Sequence, residues 1–283
     1  MRSLDVHLRQ LDKQMCEEVA AQLQRYPSLT SVNLSFTPHE AHDHVYAPVL
    51  AGLSKATQLQ RLEITNKDAP TSASLDTVAE GPQPGQERFG PSLPFAPFGG
   101  LAALQSLKLE YFSEIPSLAH MQLLTELDLS HSWIQHVSAL NDLTSLRRLN
   151  LSSTAVSDVS ALLQMPSLVE LNLTRSAVSC IRPLENLIGL TNLSLSRTSV
   201  SDLQPLSELP SLGSLDLSCS RVTDLRPLAA ARQLSFLNIM ETYISSVEPL
   251  MALTALQSLV AATTRVADLE PLFQMSKRSR RQE

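Results

Sequence analysis

The chain has 283 residues, 52 of them leucine, and a formal net charge of −6. A hydrophobic share of 43% with a charged share of 18% excludes a disordered chain, and no apolar run reaches the roughly 18 residues of a membrane span. The opening ten residues contain no apolar signal core. The three cysteines form no CxxC pair, so we expect reduced thiols and a cytoplasmic location.

The first 65 residues predict long repeats in which strands alternate with helices. Three short apolar alternations, spaced by 28 and 30 residues, are typical of strand cores: Leu4-x-Val6, Val32-x-Leu34 and Leu62-x-Ile64. The apolar residues between the first two cores have helical spacing: Met15, Cys16, Val19, Ala20 and Leu23. A capping box at residues 37–40, with proline at its first helical position, predicts a second helix that runs toward Leu53.

A histidine cluster lies within that second predicted helix. It consists of His39, His42 and His44, with Glu40 and Asp43 beside them. The order His-Glu-Ala-His differs from the H-E-x-x-H spacing of zinc proteases. Helical geometry also turns His44 away from the face that His39 and His42 share. We therefore expect no metal site here.

Residues 66–100 interrupt the pattern. They hold five of the eight glycines and six prolines, a composition that predicts a loop or partly disordered insertion. Within it, Arg88, Pro91 and Pro94 match the R-x-x-P-x-x-P form of a polyproline ligand. Such matches are frequent in proline-rich loops, so the sequence favours a spacer.

Residues 101–275 carry a regular repeat. The pattern L-x-x-L-x-L recurs at intervals of 22 residues, beginning at Leu124, Leu146, Leu168, Leu190 and Leu212. A sixth copy, from Leu234, ends in Ile239, and a fading seventh, from Leu256, ends in Ala261. An eighth copy begins at Leu104. The alternating segment predicts a short strand with inward leucines, stacked in parallel on the next copy. A hydroxyl position follows each strand: Ser132, Thr154, Ser176, Thr198, Ser220, Thr242 and Thr264.

The return limb of each repeat has its own signature, V-S-D-L-x-P-L. Its prolines form one column: Pro183, Pro205, Pro227, Pro249 and Pro271. Asp202, Asp224 and Asp268 precede proline by three residues, as helix N-caps do. Too few residues remain for a full α-helix, so the limb predicts short 3-10 turns.

These repeats resemble the leucine-rich-repeat superfamily, whose signature is L-x-x-L-x-L-x-x-N-x-L. The 22-residue form is similar to repeats of internalins and of a regulatory subunit of type-1 protein phosphatase. The N-terminal third resembles ribonuclease-inhibitor-type repeats. The resemblance implies an α/β solenoid, with a curved parallel sheet on the concave face and helices or 3-10 turns on the convex face. The family usually has asparagine at the hydroxyl position, so this chain departs from the usual side-chain ladder.

We therefore predict one continuous domain of about eleven strands. Residues 1–65 form its long helical repeats, 66–100 the insertion, 101–275 the 22-residue repeats and 276–283 a basic tail. The tail also fits a nuclear-import signal, but the sequence favours a frayed, solvated terminus. Removing the last eight residues leaves 18 bases against 27 acids, a charge of −9. That acidic body disfavours nucleic acid and anionic membranes.

The outward strand positions are the candidate binding site, because a solenoid's concave surface is its usual interface. The candidates for contacting a partner are Glu126, Asp128, Arg148, Asn150, Glu170, Asn172, Asn192, Asp216, Phe236, Asn238, Met240 and Val260. Phe236, Met240 and Val260 form an apolar patch, which either binds a partner or is covered by residues 273–283.

A second candidate is the arginine rim, which we define as Arg175, Arg197, Arg221 and Arg265. These side chains recur near the strand ends, with Arg182 and Arg226 close by. The rim fits an acidic or phosphorylated partner, but solvated arginines balanced by nearby acids are the simpler interpretation. Cys180 and Cys219 lie about two coils apart, roughly 10 Å at the strand spacing, which is too far for a disulfide.

The sequence contains no catalytic triad, P-loop or dinucleotide motif. We therefore predict a non-enzymatic scaffold or adaptor that binds a protein through its concave face, with no cofactor and no small-molecule substrate. Two alternatives stay open. One is a regulatory subunit of a protein phosphatase, and the other is a structural component of a large cytoskeletal or ribonucleoprotein assembly.

Overall fold

The computed structural model describes residues 2–8, 18–19, 21, 23, 25–26, 28–36, 53, 56–66, 100–268 and 270–271. The chain divides into two compact units, Met1–Val156 and Ser157–Glu283. The histidine cluster, residues 67–99 of the insertion and the basic tail lie outside the described residues. Their predicted roles remain predictions, as does the single continuous domain.

The first unit is built on parallel strands that follow one another in chain order. They are β1 (Ser3–Leu8), β2 (Ser31–Phe36), β3 (Arg61–Asn66), β4 (Ser106–Glu110), β5 (Glu126–Asp128) and β6 (Arg148–Asn150). Val32 pairs with Leu4 on one side and Leu62 on the other, so the three N-terminal strand cores share one register. Leu62 in turn pairs with Leu107. The long and short repeats therefore join without a break in the sheet.

The first predicted N-terminal helix is confirmed where the structure describes it. Residues 18, 19, 21, 23 and 25 are helical. Val19 and Leu23 are buried, while Glu18, Ala21 and Arg25 are exposed. The inward spacing of four residues is that of one helix face. Leu53, toward which the second helix was predicted to run, is also helical and fully buried.

The second unit repeats a shorter coil. Its parallel strands are β7 (Glu170–Asn172), β8 (Asn192–Ser194), β9 (Ser214–Asp216), β10 (Phe236–Asn238) and β11 (Ser258–Val260). Leucine is the middle residue of every strand: Leu171, Leu193, Leu215, Leu237 and Leu259 pair in sequence. The first four of these are almost completely buried. Leu259, in the last described strand, is only half-buried.

The return limbs are short 3-10 helices, as predicted. They are η1 (Ser138–Leu140) in the first unit and η2 (Ser160–Gln164), η3 (Arg182–Leu184), η4 (Gln204–Leu206), η5 (Arg226–Ala230) and η6 (Glu248–Ala252) in the second. Proline occupies the first turn of η3 to η6, where its missing N–H costs no hydrogen bond.

The predicted aspartate caps lie one residue before the N-cap position of their 3-10 helices. Leu203 and Leu225 are the N-cap residues of η4 and η5 and make no side-chain cap. Asp202 instead accepts the first N–H of η4, from Gln204, at 2.8 Å, and Asp224 accepts that of Arg226 at 2.9 Å. The capping function is present, in the form of an Asx turn that precedes the helix.

Most members of the hydroxyl column form a hydrogen bond within their own coil. Thr154, Ser176, Thr198 and Thr242 each donate at 2.7 Å to the carbonyl three residues earlier in the same coil. Ser132 instead bonds to the preceding coil, where it donates to the Leu109 carbonyl at 3.3 Å and accepts the N–H of Phe112 at 3.2 Å. The buried Oγ of Ser220, in contrast, has no hydrogen-bond partner.

A left-handed residue precedes each of these hydroxyls. Among the described residues, eight non-glycine residues have φ between 55° and 67°: Tyr111, which precedes Phe112, and His131, Ser153, Arg175, Arg197, Cys219, Glu241 and Thr263, which precede the hydroxyls. This conformation costs an L-residue about 1–2 kcal/mol relative to the right-handed one. The cost recurs in every 22-residue coil, so it is a property of the turn that ends the strand.

Candidate partner-binding surface

The outward residues of the strands form a grid, which we call the strand face. Each three-residue strand contributes one side chain before its buried leucine and one after it. In the second unit the first row is Glu170, Asn192, Ser214, Phe236 and Ser258, and the second row is Asn172, Ser194, Asp216, Asn238 and Val260. The parallel register therefore aligns the predicted contact residues of this unit in two rows at a strand spacing of ~4.8 Å.

The strand face of the first unit is charged and internally paired. Lys108 lies between two carboxylates, at 3.2 Å from both Glu63 and Glu110. Burial lowers the pKa of Lys108, but the two carboxylates outweigh that effect and hold it above its ordinary value. Thr65 also donates to Glu110, at 3.1 Å. These contacts fix a network across β3 and β4.

A second charge pair links β5 and β6 in the same unit. Arg148 contacts Glu126 through two nitrogens, at 3.4 Å and 3.2 Å. The guanidinium lowers the pKa of the Glu126 carboxyl, and its effect exceeds the opposing effect of burial. Both side chains are at least a third exposed, so the pair contributes little to stability. Asp128 and Asn150 lie beside this pair in the second row.

Asx turns occupy most of the second row, a feature that the repeat frame did not predict. In each of these turns a side-chain oxygen accepts the backbone N–H two residues later, at 2.9–3.1 Å. The acceptors are Asp128, Asn150, Asn172, Asp216 and Asn238. These side chains end the strands and direct the chain into the left-handed turn. Five of the predicted contact residues therefore have a folding role as well.

Removing one of these turns tests that role. Asp216 accepts both the N–H and the hydroxyl of Ser218, at 2.9 Å and 2.7 Å. We expect Asp216→Ala to lower the free energy of unfolding by about 1–2 kcal/mol in urea titrations. Asp216→Asn should retain most of the stability, because asparagine makes the same turn in neighbouring coils.

The control for this test is Ser214→Ala. Ser214 lies in the first row of the same strand and takes no part in the turn. Its replacement should change the unfolding free energy by less than about 0.5 kcal/mol. Equal losses in Asp216→Ala and Ser214→Ala would show that the Asx turn is not what stabilises the strand end.

The predicted apolar patch is present but not directly aligned. Phe236 pairs with Ser258, and Val260 pairs with Asn238, so Phe236 and Val260 are diagonal neighbours. Met240 follows β10 by two residues, and its N–H donates to Asn238 at 3.1 Å. All three apolar side chains are half-exposed. Phe236 is the large aromatic of the first row, flanked on both sides by serine.

The arginine rim lies beyond the carboxyl ends of the strands. Arg175 and Arg197 occupy left-handed turn positions, while Arg221 and Arg265 directly follow the hydroxyl column. Cys219 lies in the same turn column and donates to Glu241 at 3.3 Å. Burial and the Glu241 carboxylate raise the pKa of the Cys219 thiol. Cys180 and Cys219 are both free, as predicted.

Arg182 and Arg226 do not belong to this rim, because they lie on the return limb in η3 and η5. Arg226 forms an ion pair with Asp224 at 2.8 Å, and this contact lowers the pKa of the Asp224 carboxyl. The expectation that the arginines are balanced by nearby acids is therefore met on the return limb at Arg226.

The described part of the chain contains neither a metal-ligand cluster nor a membrane-spanning helix. No group of three potential metal-ligating side chains occurs in it. None of its helices combines the length and the apolarity that crossing a membrane requires.

The parallel strands, inward leucine columns and 3-10 return limbs define a leucine-rich-repeat fold. Solved structures of that fold are similar to this chain. An internalin, InlF, from Listeria monocytogenes is 23% identical with a TM-score of 0.65, and the match covers 94% of this chain and 67% of that one. A leucine-rich-repeat protein from Leptospira interrogans is 14% identical with a TM-score of 0.65, covering 98% and 88%.

The TLR13 chain of a TLR13–ssRNA13 complex is 21% identical with a TM-score of 0.70, covering 95% of this chain and 37% of that one. No protein-family model matches the sequence, and no curated protein matches it either. At identities below 25%, these likenesses establish the fold alone. Proteins with this fold generally serve as binding scaffolds.

Proposed function

We propose that the chain is a non-enzymatic scaffold that binds a protein partner through its strand face. The observation that carries this proposal is the grid of exposed and half-exposed side chains in the second unit, held at fixed spacing by the central leucines of the strands and by Asx turns. A surface that is ordered before binding loses little conformational entropy when the partner docks. The Asx turns use one oxygen of Asn172, Asp216 and Asn238, which leaves the other polar atom of each side chain for a partner.

Phe236 is the proposed anchor of this interface. Aromatic side chains often anchor a protein interface, surrounded by contacts that exclude water. Phe236 is half-exposed between Ser214 and Ser258 in the first row, and Glu170 and Asn192 continue the same row. A partner with an apolar pocket, rimmed by hydrogen-bonding groups, fits this arrangement.

The test begins with affinity capture from a native lysate, followed by mass spectrometry. We expect Phe236→Ser to lose the captured protein, or to weaken its binding at least tenfold, with an unchanged urea midpoint. Serine already occupies this row in the adjacent strands, so the fold should tolerate it. Leu163→Ser is the matched control, because Leu163 is 45% exposed on η2, away from the strand face.

The identity of the captured material separates the alternatives. A dominant phosphatase favours the regulatory subunit, and many co-purifying subunits in fixed ratio favour the assembly component. Capture of RNA instead of protein would contradict the proposal. So would a partner that Leu163→Ser and Phe236→Ser weaken equally, because the strand face would then not be the binding site.

A further inference from the structure

The arginine rim is a concentration of positive charge at one edge of an acidic chain. Its members lie in two columns, each made of equivalent positions in the five coils of the second unit. The first column is Arg175, Arg197, Cys219, Glu241 and Thr263. The second column lies two residues later in each coil and is Ala177, Ser199, Arg221, Tyr243 and Arg265. These columns hold four arginines against one carboxylate, a local charge of +3, whereas the whole chain carries −6. The rim is therefore distinct from its surroundings in charge and distinct from the strand face in position.

Three of the rim arginines differ from Arg148 and Arg226, which form ion pairs. Arg226 is paired with Asp224 at 2.8 Å, and Arg148 with Glu126 at 3.2 Å. Within the described part of the chain, no carboxylate lies within ion-pair distance of Arg197, Arg221 or Arg265. These three side chains are exposed, so their guanidinium groups are accessible to a ligand.

The backbone of the rim is held rigidly. Arg197 donates its N–H to Ser218 at 2.8 Å, Arg221 to Val200 at 3.0 Å and Arg265 to Ile244 at 2.9 Å. Each bond joins one coil to its neighbour, so the spacing of the arginine backbones is the spacing of the coils. Four coil intervals separate Arg175 from Arg265, which gives a rim roughly 19 Å long.

Tyr243 orients the far end of the rim. The Arg265 guanidinium lies over the Tyr243 ring, 4.8 Å from its centroid, within the range of a cation–π contact. A guanidinium that stacks on an aromatic face keeps its N–H edges available for bidentate bonds to an anion. Tyr243 is itself 50% exposed, so one face of this pair remains accessible to a ligand.

We propose that the arginine rim binds a short acidic peptide segment of a partner protein, with carboxylate or phosphate groups as the recognised chemistry. A length of roughly 19 Å accommodates about six residues of extended chain. Guanidinium groups bind both anions bidentately. The acidic surroundings disfavour a long nucleic acid, whose phosphates continue beyond the rim.

The proposal is tested with labelled twelve-residue peptides in fluorescence anisotropy titrations. The probes are an alternating glutamate–serine peptide, the same peptide with its serines phosphorylated, its lysine–serine counterpart and an oligo-dT strand. We expect both acidic peptides to bind and the lysine peptide not to bind. Raising NaCl from 50 to 200 mM should weaken binding several-fold, because the contacts are exposed. Tighter binding of the phosphorylated peptide would identify phosphate as the preferred anion.

Charge variants assign the binding to the rim. The double variant Arg197→Glu/Arg221→Glu should weaken acidic-peptide binding at least tenfold. Arg232→Glu should change it less than twofold, because Arg232 makes the same charge change on an exposed part of the same unit outside the rim. Glu241→Gln should strengthen binding about two- to threefold by removing the single carboxylate of the two columns.

The proposal is overturned if neither acidic peptide binds, if Arg232→Glu weakens binding as much as the double variant, or if oligo-dT binds more tightly through the same arginines. Phe236→Ser should leave peptide binding unchanged. Failure of the rim proposal therefore leaves the strand-face proposal intact, and the converse also holds.

Discussion

Truncation of Leu215 to alanine is expected to lower the free energy of unfolding by about 3–5 kcal/mol, which is within the range measured for leucines in closed cores. Leu215 is completely buried and pairs with Leu193 and Leu237 in the two adjacent strands. The rigid coils on both sides prevent the structure from collapsing into the space left by the side chain. The loss then includes a cavity term in addition to the lost transfer free energy. Urea titration monitored by circular dichroism measures it.

Leu259→Ala is the matched comparison. Leu259 occupies the same position in β11 but is only half-buried, and in the described residues β11 pairs with β10 alone. Its truncation should cost less than half as much as that of Leu215. Equal losses would mean that the two leucines lie in equivalent surroundings, which would contradict the burial difference between the last coil and the inner ones.

Arg197→Pro is expected to cost about 3 kcal/mol or more. The φ of Arg197 is 55°, whereas the proline ring fixes φ near −65°. The Arg197 N–H also donates to Ser218 at 2.8 Å, and proline has no N–H to replace it. The variant therefore loses a bond between coils and imposes the wrong backbone on the turn. The midpoint of urea unfolding measures the effect.

Arg197→Gly should move the midpoint in the opposite direction. Glycine adopts positive φ without the clash that a Cβ causes, although it loses more entropy on folding, so the net gain is about 0.5 kcal/mol. Because Arg197 is exposed, removing its side chain leaves no cavity. A destabilised glycine variant would show that the side chain stabilises the turn, contrary to the strain that its φ implies.

The 22-residue frame predicted the parts of the fold that depend on side-chain periodicity. Inward leucines such as Leu171 and Leu193 can be assigned because burial alternates with a period of two. Return limbs such as η4 can be assigned because proline and chain length together exclude a full helix. The leucine-rich-repeat fold therefore follows from the sequence, and so do its strands and its 3-10 turns.

Two features of the strand ends did not follow from that frame. The left-handed positions include arginine, cysteine and glutamate, and no glycine or asparagine marks them. The Asx turns did leave a signal, since an aspartate or asparagine stands two residues before serine or threonine, as in Asp216–Ser218 and Asn172–Thr174. The 22-residue frame identifies buried positions, so it does not detect this signal in side chains that are not buried.

The sequence predicted where the residues of the candidate site lie, but not which of their charged side chains form ion pairs. The sequence placed Glu126 and Arg148 on adjacent strands, and the structure pairs them. It placed Arg226 close to the arginine rim, but Arg226 lies on the return limb, where it pairs with Asp224. Which charges are neutralised depends on side-chain distances between coils, and no spacing along the chain specifies those.

The two rows of the strand face differ in how freely their residues can be substituted, whether during evolution or in the laboratory. Second-row positions such as Asn172 and Asp216 are constrained by their turns, so randomising them would select for foldability before it selected for affinity. First-row positions such as Asn192, Ser214 and Phe236 take no part in those turns. A combinatorial library restricted to the first row should yield mostly folded members, in which recognition diverges while the scaffold remains unchanged.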